Sequence, residues 1–187
     1  MKCSPFAAFL LAIAAGAFLA GCERPPLDHP APGLEGPYRL DSGDELRVVV
    51  YDQPSLTNIY EVDQSGQVSL PLIGDVAARG RSTDELAGSI AARYATAYLR
   101  DPNVTVEVTT YRPFFALGEV RLPGQYTYVP GMTAETAIAK AGGYTDRANK
   151  RVVRISRTLN STLFEGRIAV TEPIRPGDTI YVPESLF

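Results

Sequence analysis

"FFALGEVRLPGQYTYVPGMTAETAIAKAGGYT", residues 114–145, opens with two short strand-like runs and then changes period. "FFALGEV" (114–120) and "GQYTYV" (124–129) read as strands separated by Arg121-Leu122-Pro123-Gly124. Behind them Thr133 stands at the N-cap of a short helix carrying Ala134, Ala137, Ile138 and Ala141 at helical spacing, and Gly142-Gly143 stops it. Further strands follow at "RVVRIS" (151–156) and "DTIYVPE" (178–184). The stretch between them, "TLNSTLFEGRIAVTEP" (158–173), is ambiguous and has room for another hairpin.

A β-β-α-β order with a small helix on a mixed sheet specifies an α+β domain of β-grasp type. Working back toward the N-terminus, "YRLDSGDELRVVVYD" (38–52) places the polar Asp41-Ser42-Gly43-Asp44 before residues 46–51, a turn feeding a buried strand. "IYEVDQSGQVSLPLIG" (59–74) offers two short strands around Gln64-Ser65-Gly66-Gln67, read as a hairpin with Gly66 at positive φ. Pro71 and Gly74 bracket Leu72 and Ile73 in a tight turn, and Gly80 bends the chain ahead of a helix. Ser82-Thr83-Asp84-Glu85 is a capping box, with Leu86, Ile90, Tyr94 and Ala97 on one helical face behind it. That helix ends before Asp101-Pro102, and Val104, Val106 and Val108 then alternate as a half-buried strand. The fold class is therefore α+β, read as two small mixed domains.

The N-terminus sets the compartment. Lys2 precedes an almost wholly apolar run over 5–20, which closes in Leu19-Ala20-Gly21-Cys22. This is a secretory signal (1–21) with a lipoprotein box, too short for a spanning helix of roughly 20 apolar residues. Cys22 becomes the lipid-bearing first residue of the mature chain. The only other cysteine, Cys3, leaves with the signal, so no internal disulfide is available. Residues 22–36 form a tether rich in proline, with Pro25, Pro26, Pro30 and Pro32.

Composition excludes several function classes. The net charge is −3 and no Lys/Arg cluster is present, so nucleic acid is not an expected partner. The one histidine, His29, lies in the tether and cannot be held beside a nucleophile, which removes Ser-His-Asp and Cys-His chemistry. The folded region lacks Cys and His for zinc, a carboxylate loop for calcium and a Walker loop. Asp44-Glu45 and Asp84-Glu85 read as solvated acids on a turn and a helix start rather than an acid/base pair. The expectation is no enzyme and no catalytic, metal or cofactor-binding residue. One internal echo stands out: "SGDELRVVV" and "PGDTIYVPE" share Gly-Asp, one residue, an aliphatic, one residue and Val.

The pieces "YRLDSGDELRVVVYDQPSL", "VDQSGQVSLPLIGDVAARGRSTDELAGSI" and "DPNVTVEV", followed by residues 114–145 and "RPGDTIYVPE", occur in an order that resembles the bacterial polysaccharide biosynthesis/export lipoproteins, the Wza-like outer-membrane family. The resemblance implies a polysaccharide-export domain at 37–110 and a soluble-ligand-binding β-grasp (SLBB) domain at 111–187. It implies that Gly43, Asp44, Pro71, Gly74, Gly80, Asp101, Pro102, Gly118, Pro123, Gly124, Gly142, Gly143, Gly177 and Asp178 are scaffold residues. It further implies a homo-oligomeric ring that conducts capsular or exopolysaccharide through the periplasm, with an inner-membrane co-polymerase supplying direction. Glu23 after the modified cysteine, where aspartate goes with inner-membrane retention, implies an outer-membrane lipoprotein facing the periplasm and anchored by its lipid. No spanning segment is expected after the β-grasp pattern, which leaves a separate outer-membrane pore protein as an expected partner. A monomeric lipoprotein binding a soluble ligand or glycan through its β-grasp domain stays open as the alternative. Tyr111, Arg112, Phe114 and Phe115 are expected as one cluster at the domain junction, serving as core or subunit interface rather than a glycan platform.

Overall fold

The computed structural model describes residues 36–159 and 162–185. The signal, Cys22 and most of the tether lie outside the described residues. The element order is β1 (Glu45–Val50), β2 (Asn58–Glu61), β3 (Gln67–Leu70), β4 (Gly74–Ala77), α1 (Thr83–Ala97), β5 (Val104–Thr110), β6 (Phe114–Gly118), β7 (Gly124–Tyr126), α2 (Ala134–Lys140), β8 (Val152–Leu159), β9 (Thr162–Ala169) and β10 (Thr179–Val182).

In the N-terminal half, β1 is the centre of an antiparallel sheet ordered β2-β1-β5. Alternation decides its faces: Leu46, Val48 and Val50 are buried while the residues between them are not. α1 begins with both halves of the capping box formed, Ser82 accepting from the Glu85 N–H and Glu85 accepting from the Ser82 N–H. Its buried stripe, Leu86, Ile90 and Tyr94, joins Leu40, Val68, Val76 and Val106 in the first hydrophobic core. Tyr94 carries a hydroxyl into that core and satisfies it on the Pro71 carbonyl at 3.1 Å. Ala97 does not belong to the stripe and is exposed, because the helix runs past the edge of the core it covers.

The expected hairpin is corrected in its pairing. Gly66 takes φ 81° and the turn forms, but β2 pairs with β1, and β3 pairs instead with β4 across the turn at Pro71, Leu72 and Ile73. β4 itself escaped the sequence reading, since only Val76 of its four residues is buried.

The C-terminal half is a five-stranded mixed sheet ordered β7-β6-β10-β8-β9. β10 runs parallel to β6 and antiparallel to β8, so the last strand inserts at the centre, as a β-grasp requires. β8 and β9 form the hairpin for which the ambiguous segment had room. α2, capped by Thr133, lays Ala134, Ala137 and Ile138 on Phe114, Ile155, Ile168 and Ile180 to make a second core.

Gly118, which ends β6, shows what the parallel pair demands. It has φ 80°, and a Cβ there would lie 2.2 Å from the Val182 carbonyl oxygen. Gly74 has φ 67° with nothing near a Cβ. Both substitutions carry the left-handed cost of about 1–2 kcal/mol, but only one forces strands apart. Gly118→Ala should lower unfolding stability by about 3–4 kcal/mol and Gly74→Ala by about 1–2 kcal/mol. Urea denaturation of the two variants beside the unaltered protein measures the difference, and equal losses would refute the close-approach argument.

Candidate functional site

The two halves meet where β5 passes through Tyr111, Arg112 and Pro113 into β6. Two turns converge on this crossing, and they are the two copies of the Gly-Asp echo. In each, the aspartate carboxylate accepts the backbone N–H three residues earlier: Asp44 from Asp41 at 2.9 Å, Asp178 from Arg175 at 2.6 Å. In each, the preceding glycine is left-handed, Gly43 at φ 87° and Gly177 at 82°. Both aspartates are fully buried, which corrects the expectation that Asp44 is solvated.

Buried carboxylates need partners, and here they are arginines. Asp178 is held side-on by Arg157, Nε donating to Oδ1 at 2.8 Å and Nη2 to Oδ2 at 2.6 Å, and Arg157 is only 2 % exposed. Asp44 accepts the Arg112 N–H at 3.0 Å and the Tyr38 hydroxyl at 2.8 Å, with the Arg112 guanidinium 3.5 Å away. Burial raises the Asp44 carboxyl above its ordinary range, against the pull of these donors, and burial beside Asp44 pushes the Tyr38 hydroxyl well up. Arg112 also donates to the Tyr38 oxygen at 2.9 Å. Its side chain fills the space beside Gly177, where a Cβ would meet Nε at 2.5 Å. The Gly177 N–H donates to the Pro113 carbonyl and the Phe115 N–H to the Asp178 carbonyl, so the second turn is stitched to the crossing by its backbone.

Around this crossing opens a cavity of about 700 Å³, walled by residues of both halves: the strand entry 36–41, Arg79 and Gly80, Arg112, the end of β8 at Arg157, Thr158 and Leu159, and Arg175, Pro176 and Gly177. A smaller cleft of about 280 Å³ adjoins it, sharing Tyr38, Arg175 and Pro176 and adding Tyr111, Tyr128, Pro130 and Pro173. Tyr111 meets Tyr38 and Tyr128 edge to face, with centroids 5.1 and 5.7 Å apart.

The expected cluster of Tyr111, Arg112, Phe114 and Phe115 is thereby divided. Phe114 is buried in the second core and stacks on Tyr126; Phe115, one residue on, points to the opposite sheet face and is 39 % exposed. Strand alternation forbids the two from sharing a side. Among the scaffold residues, Gly43, Asp44, Gly80, Gly177 and Asp178 gather at the crossing, and the others sit elsewhere. Pro71 and Gly74 shape the β3–β4 turn; Asp101 and Pro102 connect α1 to β5; Gly118, Pro123 and Gly124 shape the β6–β7 region; Gly142 and Gly143 end α2. The sequence reading missed Arg157 and Arg175. Arg157 had a signal, because it occupies the inward parity of β8 after Val153 and Ile155. Among the described residues no group of three His, Cys, Asp or Glu side chains is placed to hold a metal ion.

These features define an α+β domain in tandem with a β-grasp module, joined through a polar, arginine-walled crossing. Comparison with known proteins agrees with that class. Residues 33–109 match the polysaccharide biosynthesis/export protein family and residues 114–170 match the SLBB domain. The chain is thus similar to that family through its N-terminal half and to SLBB domains through its C-terminal half. It is 33 % identical over 174 residues to the exopolysaccharide production protein ExoF of Rhizobium meliloti, covering 80 % of this chain and 41 % of that protein. It is 29 % identical over 181 residues to the EPS I polysaccharide export outer membrane protein EpsA of Ralstonia solanacearum, covering 78 % and 48 %. It is 27 % identical over 161 residues to the polysialic acid transport protein KpsD of Escherichia coli, covering 80 % and 29 %. The chain thus spans less than half the length of these relatives.

The Arg157–Asp178 pair makes a prediction. Asp178→Asn keeps an acceptor for the Arg175 N–H but takes the carboxylate away from the buried Arg157 guanidinium, and should cost about 3–5 kcal/mol of unfolding stability. Adding Arg157→Met removes that buried charge and should restore part of the loss. Chemical denaturation of the single and double variants checks both steps.

Proposed function

We infer that this protein is a subunit of a polysaccharide export conduit. The observation that carries the reading is the tandem itself: an export-family domain followed directly by an SLBB domain, with similarity running across both to relatives named for exopolysaccharide production, polysaccharide export and polysialic acid transport. The chain is an outer-membrane lipoprotein, anchored through Cys22 and facing the periplasm, as the lipoprotein box and Glu23 suggest. Copies assemble into a ring, and polymer delivered by an inner-membrane co-polymerase passes through it. Its role is passage rather than catalysis. Among the described residues no helix is long and apolar enough to cross a membrane. Many weak polar contacts suit a moving polymer better than one deep, tight site.

The competing reading is a monomeric lipoprotein that binds a soluble ligand, and the junction cavity is the observation that favours it. Light scattering on the detergent-solubilised protein separates the two, a ring giving a multiple of the chain mass. Deleting the gene in a strain without a paralogue should lower surface polysaccharide while its synthesis machinery persists. Cys22→Ser should abolish palmitate labelling and outer-membrane fractionation. Undiminished surface polysaccharide in the deletion strain would defeat the conduit reading.

A further inference from the structure

Five arginines, Arg39, Arg79, Arg112, Arg157 and Arg175, wall the junction cavity of a chain whose net charge is −3. Four of them are answered by carboxylates. Glu85 lies 2.5 Å from Arg39, Asp41 2.9 Å from Arg79, Asp44 3.5 Å and Asp41 3.7 Å from Arg112, and Asp178 2.6 Å from Arg157. Arg175 has no ion pair with any described residue. It is half-buried, and burial, with the Arg157 charge beside it, lowers its affinity for its proton. A guanidinium partly withdrawn from water beside another cation, with Asp178 offsetting part of that repulsion, is stabilised by a further oxyanion, which it can bind through two parallel N–H donors.

The other side of Arg175 narrows the ligand further. Arg175 and Pro176 form the ridge between the arginine cavity and the cleft walled by Tyr38, Tyr111 and Tyr128. Tyrosine offers an apolar ring face and a polar tip, which matches the C–H face and hydroxyl rim of a sugar ring. A volume of about 700 Å³ lies in the range of sites for small molecules, about 300–1,000 Å³. An oxyanion site sharing its ridge with an aromatic wall fits a charged sugar better than a neutral sugar or a bare anion.

We propose that the interdomain cavity binds an acidic saccharide, with its oxyanion on Arg175 and its ring against the tyrosine wall. The assignment rests on the export reading and adds the substrate class to it. A sugar carboxylate and a sugar phosphate share the chemistry; the carboxylate is the probe.

Isothermal titration of the full chain, purified in detergent, with trigalacturonate, neutral galactotriose and inorganic phosphate tests the assignment. Trigalacturonate should bind about tenfold tighter than galactotriose, a charge-assisted contact being worth about that much, and the preference should shrink as salt is raised. Arg175→Gln should abolish the preference. Its backbone N–H still bonds Asp178 and no ion pair is lost, so the thermal midpoint should hold. Thr158→Glu, an exposed substitution at the cavity wall, should weaken trigalacturonate binding and spare galactotriose. Equal affinity for the acidic and neutral trisaccharides, or an unchanged preference in either variant, would overturn the assignment. Phosphate binding as tight as trigalacturonate would also overturn it, because the tyrosine wall would then contribute nothing. Because binding is read on purified protein and export on cells, failure of one leaves the other result standing.

Discussion

The carboxylate of Asp44 has no water to solvate it, and the crossing between the two halves is arranged around that constraint. An ionised group in such a position must draw its hydrogen bonds from protein. Asp44 draws them from its own turn through Asp41, from the strand entry through Tyr38, and from the connecting segment through the Arg112 backbone. Hydrogen bonds are directional where apolar contacts are not. A junction built this way fixes how the chain enters β6, whereas a greasy interface of the same area would allow it to slide. The two hydrophobic cores remain separate on either side, so the polar crossing joins units that bury their apolar surface independently.

Arg112 does the joining because it touches both Gly-Asp turns. Its Cβ lies near Gly43 and its guanidinium stem lies against Gly177. Both glycines supply left-handed backbone to their turns, and Gly177 also leaves room for the arginine, whereas a Cβ at Gly43 would lie at an ordinary 3.7 Å from the Arg112 Cβ. This explains why the echo recurs in two domains of different topology. The turn is a compact way to present a buried carboxylate at the start of a strand, and the chain uses it once on each side of the crossing. In the first turn the carboxylate meets Arg112 and Tyr38, while in the second it meets Arg157.

Much of the fold was legible because its signals are local. The capping box at Ser82, the N-cap at Thr133, the β-branched run of β1, the alternation in β5 and the α2 stripe all act within a few residues, where period and cap chemistry decide. Strand partners were less legible. Alternation says which face of a strand is buried and nothing about which neighbour it pairs with, so β2 and β3 looked like one hairpin when each had another partner. β4 was hidden because a four-residue edge with one buried side chain barely alternates. The Gly-Asp echo was visible in the sequence, but nothing in it told that the two turns meet. Arg112 reaches Asp44 across 68 positions and Arg157 reaches Asp178 across 21, distances at which no sequence period operates. The aromatic cluster was misjudged because adjacency in sequence is not adjacency in a strand, where Phe114 and Phe115 face opposite ways.

The pairing of arginines with carboxylates also bears on what the crossing can do. Five unpaired guanidinium groups in one cavity would hold an anion firmly, and their mutual repulsion would strain the fold. Four carboxylates reduce that charge without removing the donors' geometry, since a guanidinium bonded on one edge still presents N–H groups on another. The resulting field is a small positive excess centred on Arg175 rather than a deep well. In the proposed saccharide site, attraction of this kind would let an acidic sugar bind and leave, while the directional bonds around Asp44 hold the turn and the connecting segment in place. The carboxylates that look like structural ballast would, on this argument, be what keeps the affinity of that proposed site low.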